Sequence, residues 1–373
     1  MIGAFSGLGG SRRVAMDQKS MQRPFFSQSP YRVGSGPSRP PISVRAGGAV
    51  GFGHGDSAGA GAVGAGSGAG GVWPMIDAFT TPPVYVRKPM HDKPQAAPAG
   101  GFRLPHHQLL SLAGRDAMAF AQGQFMSDVA ALADGQWQWS GWLTPKGRVI
   151  ALFALLRLDA QTLWLLLPDA DAAALAEALR RYVFRSKVVL APLDAAVEGR
   201  FSAPLHASGN RFAALEAGRI ELDMSGEHGA RSLRIGPTVA ADDADALARW
   251  DAADLAHGLP RLPTSQASQW TPQQLSLDRL HAFSVKKGCY PGQEIVARTH
   301  FLGQAKRGLV LFDSDAPPPV GAEVRVDGRA AGSIIATAGA LALAVLPVER
   351  NGPAHLADGA ALRERLLGGG LAR

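Results

Sequence analysis

The chain has 373 residues, 38 Lys/Arg against 31 Asp/Glu for a formal net charge of +7, and one cysteine, Cys289. A single thiol excludes an internal disulfide, a zinc site built on several cysteines and a four-cysteine cluster held by this chain alone. Residues 1–100 hold 10 basic and 4 acidic residues and the remainder 28 and 27, so the part that folds is nearly neutral and lacks the charge expected of a nucleic-acid-binding domain.

Residues 1–100 are rich in Gly, Ala, Ser and Pro. Such a stretch cannot bury enough surface to offset its ordering entropy, and it is read as a disordered extension. It bears Arg and Ser and few acids, as organelle-targeting segments do, but shows no amphipathic helix. A flexible extension, or a start too far upstream with Met75 or Met90 as later candidates, is preferred. The expected compartment is cytoplasmic, with the mitochondrial matrix as the alternative if the extension targets. The longest apolar stretch, residues 334–346, is interrupted by Thr337 and Gly339 and is too short to span a bilayer. No membrane is expected.

Residues 109–112 read as a strand ending at Gly114. Asp116 then caps a helix with Ala117, Phe120, Phe125 and Val129 on its apolar face. Residues 137–143 alternate like a half-buried strand, Thr144-Pro145-Lys146-Gly147 form a turn, and 149–158 with 162–167 form a hairpin. A helix starting at Asp169 or Asp171 carries Leu175, Leu179 and Val183, and 188–190 return as a strand. Residues 197–265 are less legible, with a strand over 232–235 and a helix over 241–250. Four short strands over 308–312, 323–326, 331–336 and 340–348 suggest a small β-barrel. The expected class is α+β, divided into the tail (1–100), an α+β body (101–305) and a C-terminal barrel (306–373).

Cys289 stands in Lys287-Gly288-Cys289-Tyr290-Pro291-Gly292-Gln293-Glu294. If Pro291 opens a helix through Glu294, Ile295 and Arg298, the sulfur lies near a helix N-terminus and beside Lys286 and Lys287, which favours thiolate. A buried, inert cysteine is the competing reading. Glu294 and Arg298, four apart, either pair on a solvated face or bind a ligand.

This segment resembles the signature of YgfZ-type folate-binding proteins, and Ile295-Val296-Ala297-Arg298, Gly303 and Lys306-Arg307 continue the likeness. Upstream, Gly114-Arg115-Asp116, Phe120 to Gln124, Asp128-Val129, Pro145-Lys146-Gly147-Arg148, the run Y-V-F-R-S-K-V over 182–188, Trp250, Gly258-Leu259-Pro260, Thr271-Pro272-Gln273 and Leu277-Asp278 follow in order. The resemblance spans about residues 102–350 and implies a multi-lobed fold like that of the glycine-cleavage T-protein, an aminomethyltransferase. It implies tetrahydrofolate, or a one-carbon derivative, as ligand. It further implies support of iron–sulfur enzymes, including radical enzymes that modify tRNA, with client or assembly proteins as partners and no direct RNA contact. Catalytic roles fall to Cys289 and Lys287. Folate contacts fall to Trp250, as the stacking surface, and to Tyr290, Gln293, Glu294, Arg298 and Lys146, with Arg148 and Lys187 as further anchors for the glutamate tail. Cys289 is a metal ligand only in a transient cluster shared with a partner. The T-protein's acid has no counterpart in residues 146–158, which contain no Asp or Glu. A folate-dependent aminomethyl transferase is therefore the first alternative and the form any catalysis would take; an RNA-binding module is the second.

Overall fold

The computed structural model describes residues 100–237, 240–303 and 305–373; the expectation of a disordered tail over 1–100 lies almost wholly outside them. The elements run β1 (Phe102–Arg103), β2 (Gln108–Ala113), α1 (Ala117–Gln124), β3 (Gln136–Leu143), β4 (Val149–Asp159), β5 (Thr162–Leu167), α2 (Ala172–Arg180), β6 (Val189–Leu193), β7 (Ala196–Arg200), β8 (Ala213–Ala214), β9 (Ile220–Asp223), β10 (Ser232–Gly236), α3 (Ala244–Ala256) and α4 (Gln293–Leu302). Six strands follow: β11 (Arg307–Ser314), β12 (Glu323–Val326), β13 (Arg329–Ala338), β14 (Leu341–Pro347), β15 (Ala354–Leu356) and β16 (Ala361–Arg365).

The strands form an antiparallel sheet β1-β7-β10-β9-β8, a second, β3-β4-β5-β2-β6, and a closed barrel β11-β14-β13-β12-β15-β16. The second sheet explains its own near-continuous apolar strands, because both its faces are covered. On one face Ala151, Phe153, Leu155 and Leu165 pack on Ala117, Phe120, Leu175 and Leu179 of α1 and α2. On the other, Trp137, Trp139, Leu152 and Leu156 join a core that also contains Leu222 and Leu233 of the first sheet, Trp250 of α3, and Leu311 and Val345 of the barrel.

Several boundaries differ from the sequence pattern. Helix α1 stops at Gln124, and Phe125 is extended (φ −96, ψ 156) to bridge Trp142. The Gln122 side chain supplies the reason: its Oε1 accepts the N–H groups of Val129 (2.7 Å) and Ala130 (3.1 Å), folding the chain back where the apolar spacing alone would continue the helix. Asp171, not Asp169, caps α2 by accepting the Ala174 N–H at 2.7 Å. Helix α3 starts after its cap Asp243, later than expected, and runs six residues past Trp250. The barrel has two strands, β15 and β16, too short and too polar to show as periodic runs.

Candidate functional site

Helix α4 begins at Gln293, two residues later than Pro291 suggests. Gly292 has φ +79, a conformation open chiefly to glycine. A Cβ there would lie 2.6 Å from both the Gly147 Cα and the Thr144 carbonyl oxygen. The β3–β4 turn therefore packs backbone to backbone on the motif, which accounts for a glycine on each side. The delayed start leaves Cys289 four residues ahead of the helix. It is exposed.

Lys287, its neighbour two residues away, is the opposite. It is buried, and its Nζ donates to the carbonyls of Gln122 (2.5 Å), Phe125 (2.5 Å) and Ser127 (3.0 Å), while lying 4.8 Å from the Tyr290 ring centroid. Burial pushes its pKa down to about 8, with Asp128 opposing. All three ammonium protons are thus committed to backbone left open by the early end of α1. Lys287 fastens the motif to the α1 turn. Tyr290, also buried, donates its hydroxyl to the Ser284 carbonyl at 3.0 Å, and burial pushes its pKa up to about 12. Gln293 Nε2 donates to the Lys287 carbonyl at 3.0 Å. These three side chains brace the loop that displays Cys289.

The other expected contacts fall elsewhere. Glu294 and Arg298 pair with each other at 3.1 Å in solvent, the bland reading of their spacing. Lys146 is exposed on the β3–β4 turn. Arg148 donates to the Gln269 carbonyl (2.8 Å) and Gln274 Oε1 (3.1 Å). Trp250 is 0% exposed, with the Arg231 guanidinium 4.6 Å from its ring centroid and Phe102 and Phe201 meeting it edge-on. A side chain enclosed in this way offers no open face for a pterin, so the stacking role expected of Trp250 is corrected to core packing.

A cleft of about 210 Å³ lies instead between the second sheet, α2 and the segment after α3. Trp142, Ile150, Ala151, Leu175, Leu262 and Thr264 line it, together with Asp169 and Asp171. The indole Nε1 of Trp142 is buried and has no hydrogen-bond partner. Neither carboxylate is free. Asp169 accepts from Arg261 Nε (2.8 Å) and the Leu262 N–H (3.1 Å), and Asp171 caps α2. A second cavity of about 200 Å³ lies on the other side of Asp169, lined by Asp251, Arg261, Pro263, Val320, Ala336 and Thr337. There Arg261 also bonds Asp251; burial raises the Asp251 pKa, while the same Arg261 opposes the rise.

Sequence reasoning missed Trp142, Asp169 and Arg261. One signal was present: in Trp137-Gln138-Trp139-Ser140-Gly141-Trp142 the first two indoles share a strand face and the third takes the other. Among the described residues, no three His, Cys, Asp or Glu side chains gather as metal ligands, and no helix is long and apolar enough to cross a membrane.

Residues 306–366 match the family described as "CAF17, C-terminal beta-barrel domain". An uncharacterized protein of Haemophilus influenzae is 29% identical over 227 residues, covering 60% of this chain and 77% of its own length. The glycine cleavage system aminomethyltransferase T of Bartonella henselae has a similar structure, with a TM-score of 0.60 at 16% identity over 72% of this chain and 85% of its own. The fold is T-protein-like.

Proposed function

We propose, from the match of residues 306–366 to the CAF17 C-terminal barrel family and the T-protein-like fold, that the chain acts as a CAF17/YgfZ-type protein, binding a reduced folate in the Trp142 cleft and serving iron–sulfur enzymes through Cys289. The observation that carries the ligand is the apolar cleft itself, with the Trp142 indole on its wall; the Trp142 N–H lacks a partner, as the Trp250 N–H does in the closed core, but only Trp142 borders open space that a ligand could fill. A buried donor without an acceptor is costly, and a ligand oxygen or ring nitrogen would relieve it. The apolar walls from Ile150, Ala151, Leu175 and Leu262 suit a flat heteroaromatic ring.

The same lining argues against aminomethyl transfer. An acid acting on bound folate needs a carboxylate free to hold or release a proton. Beside this cleft, Asp169 is tied to Arg261 and Asp171 to the α2 N-terminus. Folate binding without that transfer fits better.

Cys289 is exposed on a loop braced by Lys287, Tyr290 and Gln293, so its sulfur is open to a second protein rather than sealed in a core. One thiol cannot hold a cluster alone, but it can join a client's or an assembly protein's thiols around one, or attack a disulfide formed between two of them, giving a mixed disulfide and releasing the other sulfur as thiolate. The client pathway includes tRNA-modifying enzymes; the near-neutral body gives no support to direct RNA binding.

The test titrates tetrahydrofolate into wild type, Trp142→Phe and Cys289→Ala. Trp142→Phe keeps a ring but removes the N–H, and affinity should fall about five- to tenfold, the worth of one buried hydrogen bond. Cys289→Ala should bind folate normally yet fail to restore iron–sulfur enzyme activity in cells lacking the protein. Unchanged affinity in Trp142→Phe moves the folate elsewhere, and full rescue by Cys289→Ala removes the thiol from the function.

A further inference from the structure

The chain leaving α2 is the most cationic exposed segment beside the cleft. Ala174, Leu175 and Ala178 of α2 form one cleft wall, and the helix passes directly into Arg181, Tyr182, Val183, Phe184, Arg185, Ser186 and Lys187. The Tyr182 ring meets Trp142 edge-on at 5.8 Å, which places the start of this loop against the indole that lines the cleft. Three turn bonds hold the loop: Tyr182 N–H to Leu179 O (2.9 Å), Val183 N–H to Arg180 O (3.1 Å) and Ser186 N–H to Val183 O (2.8 Å). Asp116 anchors its far end by accepting the Lys187 N–H at 2.6 Å. Phe184 is 88% exposed in the left-handed region (φ +42), a conformation that costs a bulky residue energy and displays its ring, with Arg185 stacked over it.

The nearby acids do not neutralise the loop. Glu177 is taken by Arg180, and Asp116 lies by Arg115 at 3.4 Å. Arg181, Arg185 and Lys187 are exposed and make no ion pair among the described residues. On a body with 28 basic and 27 acidic residues, three unpaired cations on a fixed platform beside a ligand cleft form a local anion-binding surface. Guanidinium groups suit carboxylates, which they grip through two parallel hydrogen bonds.

We infer that residues 181–187 bind the γ-linked oligoglutamate tail of the folate seated in the Trp142 cleft, making the protein selective for polyglutamylated over monoglutamylated folate. The inference rests on the folate reading above and adds which folate is taken. The ring enters between α2 and the sheet, and the tail leaves along the end of α2, each added glutamate bringing one more carboxylate to the loop.

The experiment measures affinities of tetrahydrofolate monoglutamate and pentaglutamate for wild type and for Arg181→Gln/Arg185→Gln/Lys187→Gln. Wild type should prefer the pentaglutamate about tenfold, the sum of three modest exposed charge pairs. That preference should vanish in the triple variant and weaken in high salt. A wild-type urea unfolding midpoint shows that the variant is folded, and the ratio of pentaglutamate to monoglutamate affinity, not the monoglutamate affinity itself, carries the test. Equal wild-type affinities for the two folates, or a preference that survives in the variant, overturns the inference while leaving the folate reading intact. No binding of either folate removes both. Loop-dependent binding of a single-stranded RNA oligonucleotide, with no glutamate preference, also overturns it and assigns the cations to nucleic acid.

Discussion

The Cys289 loop and the Trp142 cleft share the β3–β4 hairpin yet are built in opposite ways. The loop rests on backbone: Gly147 against Gly292, and Lys287 on three carbonyls. Each of those contacts admits one residue type, so the loop has a tightly specified local sequence. The cleft rests on side chains gathered from β3, β4, α2 and the segment after α3, most of them aliphatic residues interchangeable with others of similar volume. A short motif therefore marks a place where the main chain is constrained, and the neighbouring cleft carries no motif at all.

The sharpest break in that comparison is between the two tryptophans. Trp250 is sealed in the central core, so Trp250→Ala should cost about 3–5 kcal/mol in denaturant unfolding, the range for deleting a buried aromatic. Trp142→Phe should cost far less stability and act on ligand affinity. A stable Trp250→Ala protein with selectively weakened folate binding would return Trp250 to the site.

Gly292→Ala tests the loop's side of the comparison. The new Cβ must adopt φ +79 and would meet Gly147 and Thr144 backbone at 2.6 Å. The expected loss is about 2–3 kcal/mol, from left-handed strain and an unyielding contact. Gly288→Ala is the control, because nothing lies within 4 Å of its Cβ position. Equal stability of the two variants would show that the turn and the motif do not press on each other.

Legibility in the sequence follows the same division. The α+β class, the β3–β4–β5 meander and the first four barrel strands show as apolar periodicity bounded by glycine and proline. The resemblance carried by Lys287 to Glu294 pointed to the T-protein-like fold. Roles within the motif were harder to read. A lysine two residues before a cysteine suggests electrostatic activation, whereas the Lys287 ammonium goes to carbonyls that α1 leaves open more than 150 residues earlier. Helix α1 ends early because the Gln122 side chain caps the next turn, and apolar spacing does not report that. Asp169 and Arg261, 92 residues apart, meet only in the folded chain.

The smallest expected effect concerns the Lys287 proton, and it decides which of two opposed forces governs the loop's anchor. Three carbonyl acceptors favour the ammonium, whereas burial disfavours it. The folded pKa of about 8, below the ordinary 10.5, says that burial prevails. Below about pH 8 the folded and unfolded chains both hold the proton, and this group adds no pH dependence. From about 8 to 10.5 the unfolded chain keeps the proton more than the folded chain does, so stability from this group rises with pH. Tyr290 works in the other direction. Its folded pKa of about 12 lies above the ordinary 10.0, so its contribution is present below pH 10 and is lost as pH rises toward 12. Urea unfolding between pH 7.5 and 9.5 therefore isolates the lysine. Across that window wild type should gain stability relative to Lys287→Met, which keeps the chain length and cannot titrate. A difference that stays flat would mean that the three carbonyls hold the proton as firmly as water does, and that the anchor is a fully charged clamp throughout the physiological range.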